Sequence, residues 1–188
     1  MVQISPRQQR LLLSLARSAI AARLGRGELL AKPEEAGVWD QPLACFVTLH
    51  QGEELRGCVG TLAPHYPLWQ AVEKMAVAAA FEDGRFPPLS PSELDHTAIA
   101  ISVLTPPEPI EARGEDELLA QLHPGLDGLT LDYGRHHATF LPAVWDTVSD
   151  PKAFVAHLKV KAGLSAHTWS DEMRWSRYGT LAFGEDPG

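Results

Sequence analysis

Cysteine is scarce in this chain, with only Cys45 and Cys58 among 188 residues. Two cysteines cannot build the multi-disulfide framework of a small secreted scaffold. Also missing is any uninterrupted run of about 20 apolar residues, the length a membrane-spanning helix needs. The opening stretch MVQISPRQQR lacks the basic-then-apolar order of a secretion signal. A cytoplasmic protein without membrane association is therefore expected. Positive charge is in deficit, at 16 Lys and Arg against 24 Asp and Glu, a formal net of -8. That field opposes a phosphate backbone, so nucleic acid is not an expected partner. Metal signatures are absent too: there is no HExxH and no paired CxxC, and the adjacent His136 and His137 would point to opposite faces of a strand. The glycines fit neither a phosphate loop nor a dinucleotide fingerprint. Neither a metal nor a cofactor is expected.

What remains is an average globular composition, 45% apolar and 21% charged, at the size of one ordinary domain. Ser5-Pro6 with Gln8 has the spacing of a capping box, and Leu12, Leu15, Ala16, Ala19 and Arg23 recur at helical spacing before Gly25. Residues 25–42 read as loop. LACFVTL (43–49) and LRGCVGTL (55–62) are strands of a hairpin around His50-Gln51-Gly52-Glu53. An Ala-rich helix, apolar almost all round, runs from Leu68 to Phe81 and is expected to be buried. Asp83-Gly84 stops it, and RFPPLSPSEL follows as a rigid loop with one helical turn near Ser92-Glu93. AIAISVL (98–104) is a strand stopped by Pro106-Pro107. A short helix spans 115–122, a second hairpin joins 128–133 to 136–141, and a helix begins at Pro142. Another follows the Ser149-Asp150-Pro151 cap, with Gly163 as its stop. Trp169 leads to a short helix or strand, and Thr180 to Phe183 closes the sheet. Hairpins among helices favour an α+β fold with a mainly antiparallel sheet. Residues 5–183 read as one domain and 184–188 as a flexible tail.

The unusual segment is Leu55-Arg56-Gly57-Cys58-Val59-Gly60. On a regular strand Arg56, Cys58 and Gly60 share a face, and a guanidinium about 7 Å along that face favours a thiolate. Gly57 and Gly60 remove side chains on either side of Cys58, which admits a ligand or a second backbone. The competing reading is structural: unpaired cysteine usually behaves as a small apolar side chain, and glycine in a strand can answer to packing alone. His65 is a candidate proton carrier near the end of the strand, or simply an exposed loop histidine. A turn centred on Gln51-Gly52 would set Cys45 opposite Cys58, within disulfide reach. A shift of one or two residues removes that pairing, and a reducing cytosol disfavours the bond.

The blocks ACFVTL, LRGCVGTL, AAAFEDGRFPPLSPSEL, ISVLTPPEPI, GLDGLTLDYG, FLPAVW and HLKVKAGL, in this order, resemble the AMMECR family, whose bacterial members are called AmmeMemoRadiSam system protein A. The resemblance runs from about residue 10 to about residue 183. It implies an α+β fold of a main antiparallel sheet flanked by helices, with a smaller lobe forming a cleft near the motif. It also implies association with a Memo-like protein and a radical SAM enzyme, without a settled activity. The family's motif positions map onto Arg56, Gly57, Cys58 and Gly60, with Phe81, Asp83, Arg85, Phe86, Pro88 and Leu89 in the second block. Many members carry a cysteine just before KAGL, where this chain has Lys159.

Two functional readings stand side by side. In one, the chain is a component of an AmmeMemoRadiSam system, with a ligand or partner site at the LRGCVG strand formed by Gly57, Gly60, Asp83 and Arg85. In the other it is an enzyme, with Cys58 as nucleophile or thiol ligand, Arg56 as activator and anion clamp, and His65 as proton carrier on a small anionic substrate. The sequence completes no active site, so whether the chain is an enzyme stays open.

Overall fold

A computed structural model describes residues 2–186. Helix α1 (Pro6–Arg23) starts as its sequence dictates: Ser5 Oγ accepts from Gln8 N and Gln8 Oε1 accepts from Ser5 N, at 3.3 and 2.9 Å. Gly25, at φ +70°, supplies the left-handed residue that lets the chain leave the helix. Strands β1 (Cys45–Gln51) and β2 (Glu54–Gly60) form the first hairpin, helix α2 (Leu68–Phe81) follows, and β3 (Ala98–Leu104) pairs antiparallel with β1. The period-2 pattern buries Cys45, Val47 and Leu49 of β1 and Ile99, Ile101 and Val103 of β3 beneath the helices. The alanines of α2 bring its backbone close to the sheet.

Strand β4 (Glu108–Ile110) and helix α3 (Glu115–Gln121) come next, then the hairpin β5 (Gly128–Tyr133) and β6 (His136–Phe140), helix α4 (Pro151–Lys161), β7 (Arg174–Tyr178) and β8 (Thr180–Gly184). The sheets are ordered β2-β1-β3-β8 and β4-β7-β5-β6. The chain forms two compact units, Met1–Thr105 with Leu181–Gly188, and Pro106–Thr180. Each has its own core; the second is built on Phe154, stacked against Trp145 at 3.8 Å, with Leu118, Leu129, Leu131 and Leu158. The fold is α+β with antiparallel sheets. Among the described residues no helix is long and apolar enough to cross a membrane.

Several local expectations change. The segment after Pro142 is a 3-10 turn (Pro142–Asp146), the choice after Trp169 resolves as strand, and β4 forms despite Pro109 because it is an edge strand. The Cys45–Cys58 pairing is overturned. The turn falls on Gly52-Glu53, with Gly52 at φ +59°, and the register shifts again at Leu49/His50, so Cys58 faces Thr48 and both cysteines are free. The segment expected to be loose from residue 184 is held further along: Gly184 ends β8, and Glu185 accepts from Arg17 Nε at 2.8 Å and from Ile99 N at 2.9 Å. Residues 187 and 188 lie outside the described residues.

Candidate functional site

The register shift has a direct consequence for the motif. Leu49 pairs with Gly57 but His50 pairs with Leu55, which leaves Arg56 as an extra residue in β2. Such a bulge breaks the strand's alternation and re-aims the side chain. Arg56 is buried and engaged away from the thiol: Nε donates to Glu93 Oε1 at 3.0 Å, and Nη2 donates to Pro87 O at 2.8 Å and Glu93 Oε2 at 3.3 Å. Its Nη1 has no hydrogen-bond partner among the described residues. Glu93 also accepts from Ser90 N at 2.7 Å. The Arg56 guanidinium, followed by the Ser90 amide, holds the Glu93 carboxyl down at about 2.

Cys58 sits on the outer strand of its sheet and is half-buried. Its backbone N–H donates to Asp83 Oδ2 at 2.9 Å. The same oxygen accepts from Arg85 Nη2 at 2.8 Å, while Asp83 Oδ1 accepts from Arg85 Nε at 3.0 Å and Arg85 N at 3.1 Å. The cation tied to Cys58, through Asp83 and the Cys58 amide, is therefore Arg85, brought by the segment after α2, while Arg56 is engaged with Glu93. Arg85 first, then the Cys58 amide, holds the Asp83 carboxyl well below the usual carboxylate range. The Cys58 Sγ lies 3.3 Å from Thr48 Oγ1. Burial pushes the other thiol, Cys45, up to about 12, which leaves it unreactive.

The space beside the two glycines belongs to the protein itself. A Cβ on Gly57 would collide with the Ala79 carbonyl oxygen of α2, and one on Gly60 with the Phe46 ring and the Cys45 carbonyl oxygen. His65 is exposed, edge-on to Tyr66, and no hydrogen bond or ion pair among the described residues joins it to Arg56 or Cys58. The structure thus brings together Cys58, Asp83 and Arg85, ties Arg56 to Glu93, and leaves His65 apart. Among the described residues no group of three or more His, Cys, Asp and Glu can hold a metal.

Glu93 and Thr48 are the residues that sequence reasoning missed. The Ser90-Pro-Ser-Glu93 spacing of a capping box pointed to Glu93, since its carboxylate accepts from the Ser90 amide. Thr48 needed the true register. Glu93 also lines an open polar cavity of about 710 Å³ with Arg17, Gln51, Asp95, His96 and Glu185.

The chain's similarity to known proteins fits this architecture. The family profile for AMMECR1 matches residues 13–183. A protein of Methanothermobacter thermautotrophicus is 36% identical over 190 residues, covering 97% of each chain. The protein MJ0810 of Methanocaldococcus jannaschii is 36% identical over 176 residues, covering 86% of each. The crystal structure of the uncharacterised protein PH0010 of Pyrococcus horikoshii superposes with a TM-score of 0.77 at 33% identity, covering 97% of this chain and 94% of that one. With a match that takes in the motif strand, the segment after α2 and the second compact unit, the chain belongs to the AMMECR1 family.

Proposed function

We propose that the chain is a binding component, not a catalyst, in an AmmeMemoRadiSam system. In this reading it acts with a Memo-like protein and a radical SAM enzyme, and β2 with the segment that borders it receives the partner. One observation carries this: the motif's cations are already matched inside the chain, Arg56 by Glu93 and Arg85 by Asp83, while the hydrogen-bonding partner of the thiol is the Thr48 hydroxyl. A face whose charges are matched attracts a small anion weakly, and a thiol without a neighbouring base lacks the usual nucleophile activation. Apolar residues stand exposed around β2: Leu55 at 38%, Leu62 at 51% and Tyr66 at 37%. Apolar and aromatic side chains of this kind anchor protein interfaces.

The test is sedimentation of the purified chain with each purified partner. Co-sedimentation with at least one is expected, weakened about tenfold or more by Leu62→Asp or Tyr66→Asp. Absence of any complex at tens of micromolar would overturn the reading. Gly57 and Gly60 are unsuitable probes, because bulk there strikes the chain's own backbone.

The enzyme reading has one observation in its favour: the Arg85 guanidinium and the Cys58 amide bond the same carboxylate oxygen, so a cation is linked to Cys58 through Asp83. Under that reading Cys58→Ala abolishes the biological phenotype with the fold retained.

A further inference from the structure

We infer that Arg17 anchors a binding site for a small carboxylic acid, which the chain keeps closed by seating its own Glu185 in the ligand's place. Arg17 Nε donates to Glu185 Oε1 at 2.8 Å and Nη2 donates to Oε2 at 2.5 Å, the two-pronged geometry by which a guanidinium recognises a carboxylate. The Ile99 N–H adds a third donor to Oε2 at 2.9 Å. These donors do not depend on Glu185 for their positions. Arg17 Nη1 and Nη2 also donate to Leu94 O and Thr97 O, at 3.1 and 2.6 Å, and Ile99 lies within β3. The fork therefore stays aimed when the carboxylate leaves, and a half-buried cation is then left without its counter-charge.

Access and charge both suit a ligand. Arg17 and Glu185 form part of the wall of the open polar cavity of about 710 Å³, a volume within the range of small-molecule sites. Four carboxylates line that wall: Glu93, Asp95, Glu185 and Asp186. Glu93 is paired with Arg56 and Asp95 with Arg26, and both pairs stay in place whatever residues 185 and 186 do. Glu185 and Asp186 follow directly on β8, so they leave the wall together. Seated, they make the lining acidic and repel an anion; displaced, they leave Arg17 as the unmatched charge. The main-chain bond that must break is Glu185 N to Ile99 O, at 2.9 Å, beyond the end of β8, so the strand itself remains paired. One short segment thus switches the cavity from closed to carboxylate-accepting. The site needs no second protein, and it stands or falls independently of the partner reading.

The probe is N-acetylglutamate α-amide, whose one carboxylate matches that of Glu185, with N-acetylglutamine α-amide as the uncharged control. Binding to the full chain is read from the nuclear magnetic resonance shift of the Ile99 amide. Glu185→Ser combined with Asp186→Ser empties the cradle. Saturable binding of the glutamate probe is then expected, about tenfold or more tighter than that of the control. The native chain is expected to bind the same probe about tenfold or more weakly than the double variant, because its own carboxylate competes. Arg17→Gln added to the double variant is expected to abolish the preference for the charged probe. Circular dichroism checks each fold. Glu185→Ala replaces the double variant if that chain does not fold, and Arg17→Lys, which keeps the charge but loses the fork, likewise replaces Arg17→Gln and is expected to weaken the preference. Equal affinity for the two probes, or no shift of the Ile99 amide in the double variant, overturns the site. Native binding as tight as that of the double variant overturns its closure by Glu185.

Discussion

Arg56 directs its guanidinium inward, and the consequence is a buried cation whose partner carboxylate is partly wet. The Arg56 side chain is 9% exposed and that of Glu93 31%. Glu93→Gln leaves the cation without its counter-charge. Loss of about 2 kcal/mol in urea unfolding is expected, less than for a fully buried pair because solvent reaches Glu93. The sign with pH follows from the direction of the shift. Glu93 falls from an ordinary 4.5 to about 2 in the folded chain, so its contribution is present above pH 4.5 and is lost as pH drops toward 2. Acid titration of unfolding should be shallower over that interval in Glu93→Gln. The glycines make a second case at this scale. Gly57→Ala sets a methyl against the backbone oxygen of Ala79, which cannot rotate away, and about 2–3 kcal/mol of destabilisation is expected by chemical denaturation. The sequence marked Gly57 and Gly60 as special and left ligand access and packing both open, and the neighbours of the two glycines are the chain's own atoms. No residue spacing could reveal that, since the collision is with an atom 22 positions away along the chain.

At the scale of elements, the helices and strands were largely legible because their signals are local. Ser5 and Asp150 are side-chain caps whose bonds stay within three residues. Asp150→Ala should cost about 1 kcal/mol, read as a lower Tm, by leaving the Ala153 amide unpaired at the start of α4. The β1–β2 hairpin was legible as a hairpin but not in its register. The turn moved by one residue and Arg56 bulged out, and these two small displacements converted an Arg56–Cys58 face and a Cys45–Cys58 pair into an Arg56–Glu93 tie and a Thr48–Cys58 contact. Register depends on which alternate set is buried beneath α2, a tertiary matter.

For the whole molecule, β8 returns the chain to the first sheet, and Glu185 fastens it there. Arg17 of α1 binds Glu185 through Nε and Nη2, at 2.8 and 2.5 Å, and also donates to Leu94 O and Thr97 O. Glu185→Ala should destabilise the first unit by about 1–2 kcal/mol and speed hydrogen exchange of the Ile99 amide, which donates to that carboxylate at 2.9 Å. The net charge of -8 also acts at this scale. Filter binding to nucleic acid at low salt is expected to show no tight, salt-sensitive retention.

The sequence by itself determined the α+β class, the order and approximate bounds of the principal helices and strands, and the block pattern of the family, because caps, periodicity and turn residues act over a few positions. The tertiary structure alone decided the chemistry of the motif. Ion pairs and packing between residues 14 to 37 positions apart chose which cation is tied to Cys58, what Arg56 holds, and what fills the space at Gly57 and Gly60. Such choices depend on three-dimensional register and burial, which a local pattern does not encode.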